Sequence, residues 1–168
     1  MSNAFCETCS RCFEAAILAE EEARRFYERL SDLFRKEAKV TQVFRWMAQD
    51  EADFANALRD VQKGEDHSTR VHAGAGEMTK GLRVLVGSLG LRNGERPRDL
   101  DEAWRWACDL ERSVLREAFA HLTVGLRDAD RDACDFVKKR VENHQGRLRS
   151  LGEKFDLKRR RAILPEVG

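Results

Sequence analysis

Apolar residues recur in steps of three and four along four stretches of this chain, which predicts four long amphipathic helices. The first, from about Ser10 to Glu37, lines up Phe13, Ala16, Ala23, Tyr27, Leu30 and Phe34, and the gap in that stripe is filled by Glu20. The second, from about Thr41 to Lys63, carries Phe44, Met47, Phe54, Leu58 and Val61, interrupted by Glu51, with Thr41 as an N-cap. The third opens at Asp99 and Glu102, which have roughly the spacing of a capping box, and ends near Gly125. Its stripe is Leu100, Trp104, Ala107, Val114, Ala118 and His121, interrupted by Glu111. The fourth runs from about Asp128–Asp130 to Phe155 with Cys134, Val137, Val141, Leu148, Leu151 and Phe155. Its polar member is His144, and Glu142 lies just beside the stripe.

The first and second helices are joined by a short connection, as are the third and fourth, so each pair is antiparallel. Between the pairs lies a stretch of about 35 residues, in which MTKGLRVLVGSLG holds a short helix. A structureless loop of that length is uncommon inside a compact domain. It fits a crossover along a bundle, so the expected fold is all-α: a single ferritin-like four-helix bundle of two antiparallel hairpins joined by a long crossover.

Composition supports that picture: of 168 residues, 42% are hydrophobic, 36% are charged and only two are proline. The formal charge of +1 argues against a general nucleic-acid binder. No apolar run approaches the ~20 residues of a membrane span. The start, MSNAFCETCSRC, lacks the basic and apolar regions of a signal peptide, so a cytoplasmic location is expected. The five cysteines are then read as thiols or metal ligands rather than structural disulfides.

The acids in the stripes carry the chemistry. A carboxylate in an apolar core without a partner is driven to its neutral form. One such Glu is accommodated by a tyrosine hydroxyl or by snorkelling to the bundle edge. Three at matching places ask for a shared counter-charge. Midway between Glu111 and His144 lies the turn at Arg127–Asp128, and midway between Glu20 and Glu51 lies Arg35–Lys36, close to the first turn. Each pair therefore sits near one level of its hairpin, where a divalent cation would satisfy the oxygens.

The stretches around these residues resemble rubrerythrin-like members of the ferritin-like superfamily. AILAEEEARRFY around Glu20 resembles the family's first helix, and MAQDEADFANAL around Glu51 its second. ACDLERSV around Glu111 resembles the third helix, and VENHQGRL around Glu142 and His144 the fourth. The resemblance implies a site for two iron ions built from carboxylates and histidines, with peroxide reduction or ferrous-iron oxidation as the associated activities. It also implies a homodimer and, for redox cycling, an external electron donor, because no rubredoxin-type pair of CxxC motifs flanks the bundle. The departures are specific. Phe54 stands where the family has a histidine. In the fourth helix, either Glu142 is a ligand and Gln145 replaces the histidine, or His144 is the histidine and Val141 replaces the glutamate. The reading favours His144 inward with Glu142 in reach. The expected ligands are Glu20, Glu51, Glu111, Glu142 and His144, holding iron as a single ion or a pair, with zinc as the other candidate.

Cys6, Cys9 and Cys12 form a CxxCxxC run that offers three of the four ligands of a zinc or iron–sulfur site, or a reactive thiol cluster. His67 and His72 fall in the polar connection, Trp46, Trp104 and Trp106 read as packing residues, and KRRR near the C-terminus reads as a solvated tail. The functional expectation is a metal-binding protein of iron handling or peroxide defence with a reduced ligand set. The alternatives are a helical scaffold without catalysis and a thiol-based redox or metal sensor.

Overall fold

The computed structural model describes residues 3–64, 75–123 and 131–157; the side chains of 3–9, of most of 113–141 and of a few isolated positions lie outside that description. The described chain forms five helices: α1 (Asn3–Leu33), α2 (Ala38–Gly64), α3 (Ala75–Gly94), α4 (Leu100–Thr123) and α5 (Arg131–Lys154). There is no strand among the described residues, and no described helix is long and apolar enough to cross a membrane. α1 packs along α2, α4 packs along α5, and the hairpins meet through α2 against α5 and α1 against α4. This is the all-α, ferritin-like bundle that the four stripes predict.

The crossover departs from the expected short helix. α3 runs for 20 residues and lies mainly along α1, with a second contact to α4. Its glycines weaken helix propensity by up to ~1 kcal/mol each, which hides it from a periodicity argument. Burial of Leu82 and Leu89 against the hairpins overrides that weakness.

Local signals at the helix ends also moved. α1 begins earlier than Ser10 and ends at Leu33. Thr41 is not an N-cap: α2 starts at Ala38, and the Thr41 hydroxyl donates to the Phe34 carbonyl at 2.8 Å, closing the turn between α1 and α2. Asp99 does cap α4, accepting from the Glu102 amide at 2.8 Å. Glu102 reaches back to the Arg98 amide at 2.7 Å, one residue before the cap position a standard box uses. The Arg98 guanidinium hydrogen-bonds the same carboxylate and holds it below the ordinary carboxylate range.

Residues of all five helices fill the core, from Ala16, Phe26, Tyr27 and Leu30 through Phe44, Met47 and Phe54 to Trp104, Leu148 and Leu151. Val61, Val114, Ala118, His121, Cys134, Val137 and Val141 lie outside the described side chains. One contact fixes the second hairpin. The Trp104 indole donates from Nε1 to the Leu148 carbonyl at 2.7 Å, and its ring lies against Gly152, where a Cβ would come within 2.9 Å of Cζ2. The indole cannot retreat without losing that hydrogen bond. Gly152→Ala is therefore expected to destabilise the fold by about 1–2 kcal/mol in urea denaturation, overpacking outweighing the gain in helix propensity.

Candidate metal centre

Three helices each bring one metal-competent side chain to the same point inside the bundle. Glu51 comes from α2, Glu111 from α4 and His144 from α5, and one ligand atom of each lies within 4.8 Å of the others. All three are buried, at 2%, 1% and 0% exposure. His144 Nδ1 is 3.1 Å from Glu111 Oε1 and 3.6 Å from Glu51 Oε1. An imidazole nitrogen and a carboxylate oxygen facing each other so closely must share a proton or a cation, because two lone pairs repel.

Neighbours hold this arrangement in place. The Tyr27 hydroxyl donates to Glu111 Oε1 at 2.6 Å, and its ring packs edge-on to His144. On the other side of the imidazole, Nε2 lies 3.1 Å from Asp50 Oδ2. A proton on Nε2 donated to Asp50 leaves Nδ1 directed at the two glutamates, the tautomer that a carboxylate behind a ligating histidine selects. Asp50 is in turn hydrogen-bonded by Arg147, whose guanidinium lies 5.6 Å from the ring centroid of half-exposed Trp46. Burial raises the Asp50 carboxyl, but the His144 hydrogen bond and the Arg147 charge outweigh it and hold Asp50 below its ordinary value of 3.8. It therefore remains an anion behind the imidazole at neutral pH.

The other expected ligands fall in different places. Glu20 is buried on α1, at 2% exposure, but is not part of the three-residue group. Glu142 is exposed on α5. It stands two residues before His144, about 200° around the helix, so the two cannot face one point. Gln145 is buried, and Phe54 occupies the core one turn after Glu51. Cys12 is buried in the core beside Ala15 and Ala16, while the side chains of Cys6 and Cys9, together with His67 and His72, lie outside the described residues. The stripes gave no role to Asp50, which flanks Glu51 off the apolar face, or to Arg147. On the stripe Tyr27 is simply a core residue. The signal for Asp50 and Arg147 was available in part: a carboxylate next to a mid-stripe acid, and a base one turn from His144.

The donor set suits iron or zinc, since imidazole and carboxylate ligate both. Glu111 Oε2 is buried with no hydrogen-bond partner among the described residues. That is a costly state for a core oxygen and one that a cation would relieve. A group of three is half the roughly six ligands of a di-iron carboxylate centre, so these residues fit one ion.

Cys108, fully buried one turn before Glu111, is a free thiol. Burial pushes it up from 9.0 to about 12. The unfolded thiol ionises from pH 9 upward while the buried one stays protonated until about 12. In that window the native state binds the extra proton and stability falls as pH rises, by on the order of 1 kcal/mol per unit. Urea denaturation of the native chain and Cys108→Ala should diverge above pH 9, with the variant losing stability less steeply.

No curated protein and no solved structure matches the chain. A family profile described as Rubrerythrin matches residues 12–118, well over half of the sequence, and spans Glu20, Glu51 and Glu111. The family implies iron binding on a ferritin-like bundle, in keeping with the carboxylate and imidazole group between α2, α4 and α5. This chain belongs to the rubrerythrin family.

Proposed function

We propose that this protein holds a single iron ion between Glu51, Glu111 and His144 and uses it in iron handling or peroxide defence. The observation that carries the reading is the convergence of those three buried side chains from three helices. Bound iron would supply a ferrous–ferric couple able to meet an oxidant. The chain's own residues do the rest. Tyr27 fixes the Glu111 carboxylate by its hydroxyl, and Asp50 fixes the imidazole from behind. Phe44 stacks on Tyr27, and Phe54 is buried one turn after Glu51, apolar surface that restricts water. Glu20, buried on α1 seven residues before Tyr27, is the candidate for a further ligand, and zinc is the competing metal.

The test is elemental analysis of protein purified without chelator, with the triple variant Glu20→Ala, Glu51→Ala, Glu111→Ala alongside. The native chain should carry about one iron per chain and the variant less than a tenth of that. Metal kept by the variant would place the ligands elsewhere. A native chain that takes up no iron even when titrated with ferrous iron would leave a helical scaffold as the function.

A further inference from the structure

A separate concavity lies where α3 meets α1 and α4. A cleft of about 220 Å³ lies beneath the crossover helix α3. Phe26, Leu85, Leu89 and Leu110 give it an apolar lining, and Trp106 forms one side. Phe26 and Leu110 are the sequence neighbours of Tyr27 and Glu111, so the cleft and the candidate metal centre share a wall of two helices.

The edge of the cleft is charged, with Arg92 and Asp109 both lining it. The Arg92 guanidinium lies over Trp106, 5.4 Å from the ring centroid. Its Nη2 is 3.9 Å from Asp109 Oδ2, too far for a hydrogen bond. Asp109 is instead hydrogen-bonded at close range by Arg112. Asp109 is thus engaged by Arg112, while Arg92, held to it only at ion-pair distance, keeps guanidinium donors turned to the cleft edge for a second carboxylate. A ligand that matches both features has an apolar body and an anionic head. Size agrees: an apolar cavity of about 150 Å³ takes benzene, so this cleft accommodates a body of roughly six to eight carbons.

We propose that this cleft binds a small amphipathic carboxylate, its apolar body against Phe26, Leu89 and Leu110 and its head group on Arg92. Gly81 sits at the cleft, and a Cβ built there meets nothing within 4 Å. A side chain added at that position starts in open space beside the cleft and meets no neighbour at its first atom.

Isothermal titration of the full chain with octanoate, octanol and octylamine, in chelator throughout so that no metal contributes, tests the assignment. Octanoate should bind at least about tenfold more tightly than octanol, the increment of one charge-assisted contact, and octylamine more weakly than octanol. Arg92→Gln should bring octanoate down to the level of octanol and leave octanol unchanged. Gly81→Leu should weaken octanoate and octanol together by about tenfold or more without lowering the melting temperature. Equal affinity for octanoate and octanol in the native chain, no octanoate heat up to millimolar concentration, or unchanged binding in Gly81→Leu overturns the proposal. Sedimentation that shows a dimer dissociated by Gly81→Leu assigns the cleft to a second copy of the chain and overturns it as well.

Discussion

Replacing Glu51, Glu111 and His144 together with leucine, and Tyr27 with phenylalanine so that its hydroxyl is not left without an acceptor, should give a protein that resists denaturant better than the native chain in metal-free buffer. Three polar groups at 2%, 1% and 0% exposure were taken out of water to stand beside one another. Their mutual contacts return only part of the desolvation they cost, and buried ionic groups exchanged for apolar ones of similar volume leave proteins unchanged or about 1–4 kcal/mol more stable. Leucine is close to glutamate in volume and the surrounding walls are already apolar, with Tyr27, Phe44 and Met47 fully buried nearby. Guanidinium denaturation in chelator should show the midpoint rising by an amount in that range. With iron added, the native chain should gain stability and the leucine variant should not, because only the native state offers ligands. A variant less stable than the native chain in chelator would mean that the group is retained for the fold and not for a bound ion.

Removing the imidazole alone should do the opposite, and more strongly. His144→Ala leaves Glu51 and Glu111 facing each other in the core with the Tyr27 hydroxyl donating to Glu111, and deprives Asp50 of its hydrogen bond from the ring. It also opens a ring-sized cavity beneath Tyr27. Breaking a buried charge partnership costs about 3–5 kcal/mol, and the cavity adds to it. The sign reversal between the single and the combined variant is the informative result, since it measures coupling within the group and not the bulk of any one side chain. If His144→Ala unfolds within about 1 kcal/mol of the native chain, the imidazole is not what balances the two acids.

The stripes made much of this legible before any coordinates. Glu51, Glu111 and His144 are each the polar member of an apolar helix face, and each is buried. The turn midpoints put each hairpin's pair near one level, and the structure brings the α4–α5 pair, Glu111 and His144, to 3.1 Å of each other. The choice between Glu142 and His144 was harder. The family pattern offered both, and the 3.6-residue period separates them: His144 lies on the stripe with Leu148 and Leu151, whereas Glu142 falls on the exposed face. The full length of α3 leaves little trace in the sequence, because its glycines and short apolar run carry little helical periodicity while its stability rests on burial against α1.

By itself, then, the sequence determined which faces turn inward, how many long helices pack and which acids break their stripes, because helix periodicity and the cost of burying charge are local properties of the chain. It could not determine which of those acids meet. That depends on the rotation and offset of α2, α4 and α5 against one another, set by contacts such as Trp104 on Gly152 between residues far apart in sequence. Only the packed bundle joined Glu51 and Glu111 to His144, left Glu20 outside their group and set Asp50 and Tyr27 behind the atoms they hold. A hydrogen bond across 84 or 94 positions of sequence leaves no periodic trace along the chain.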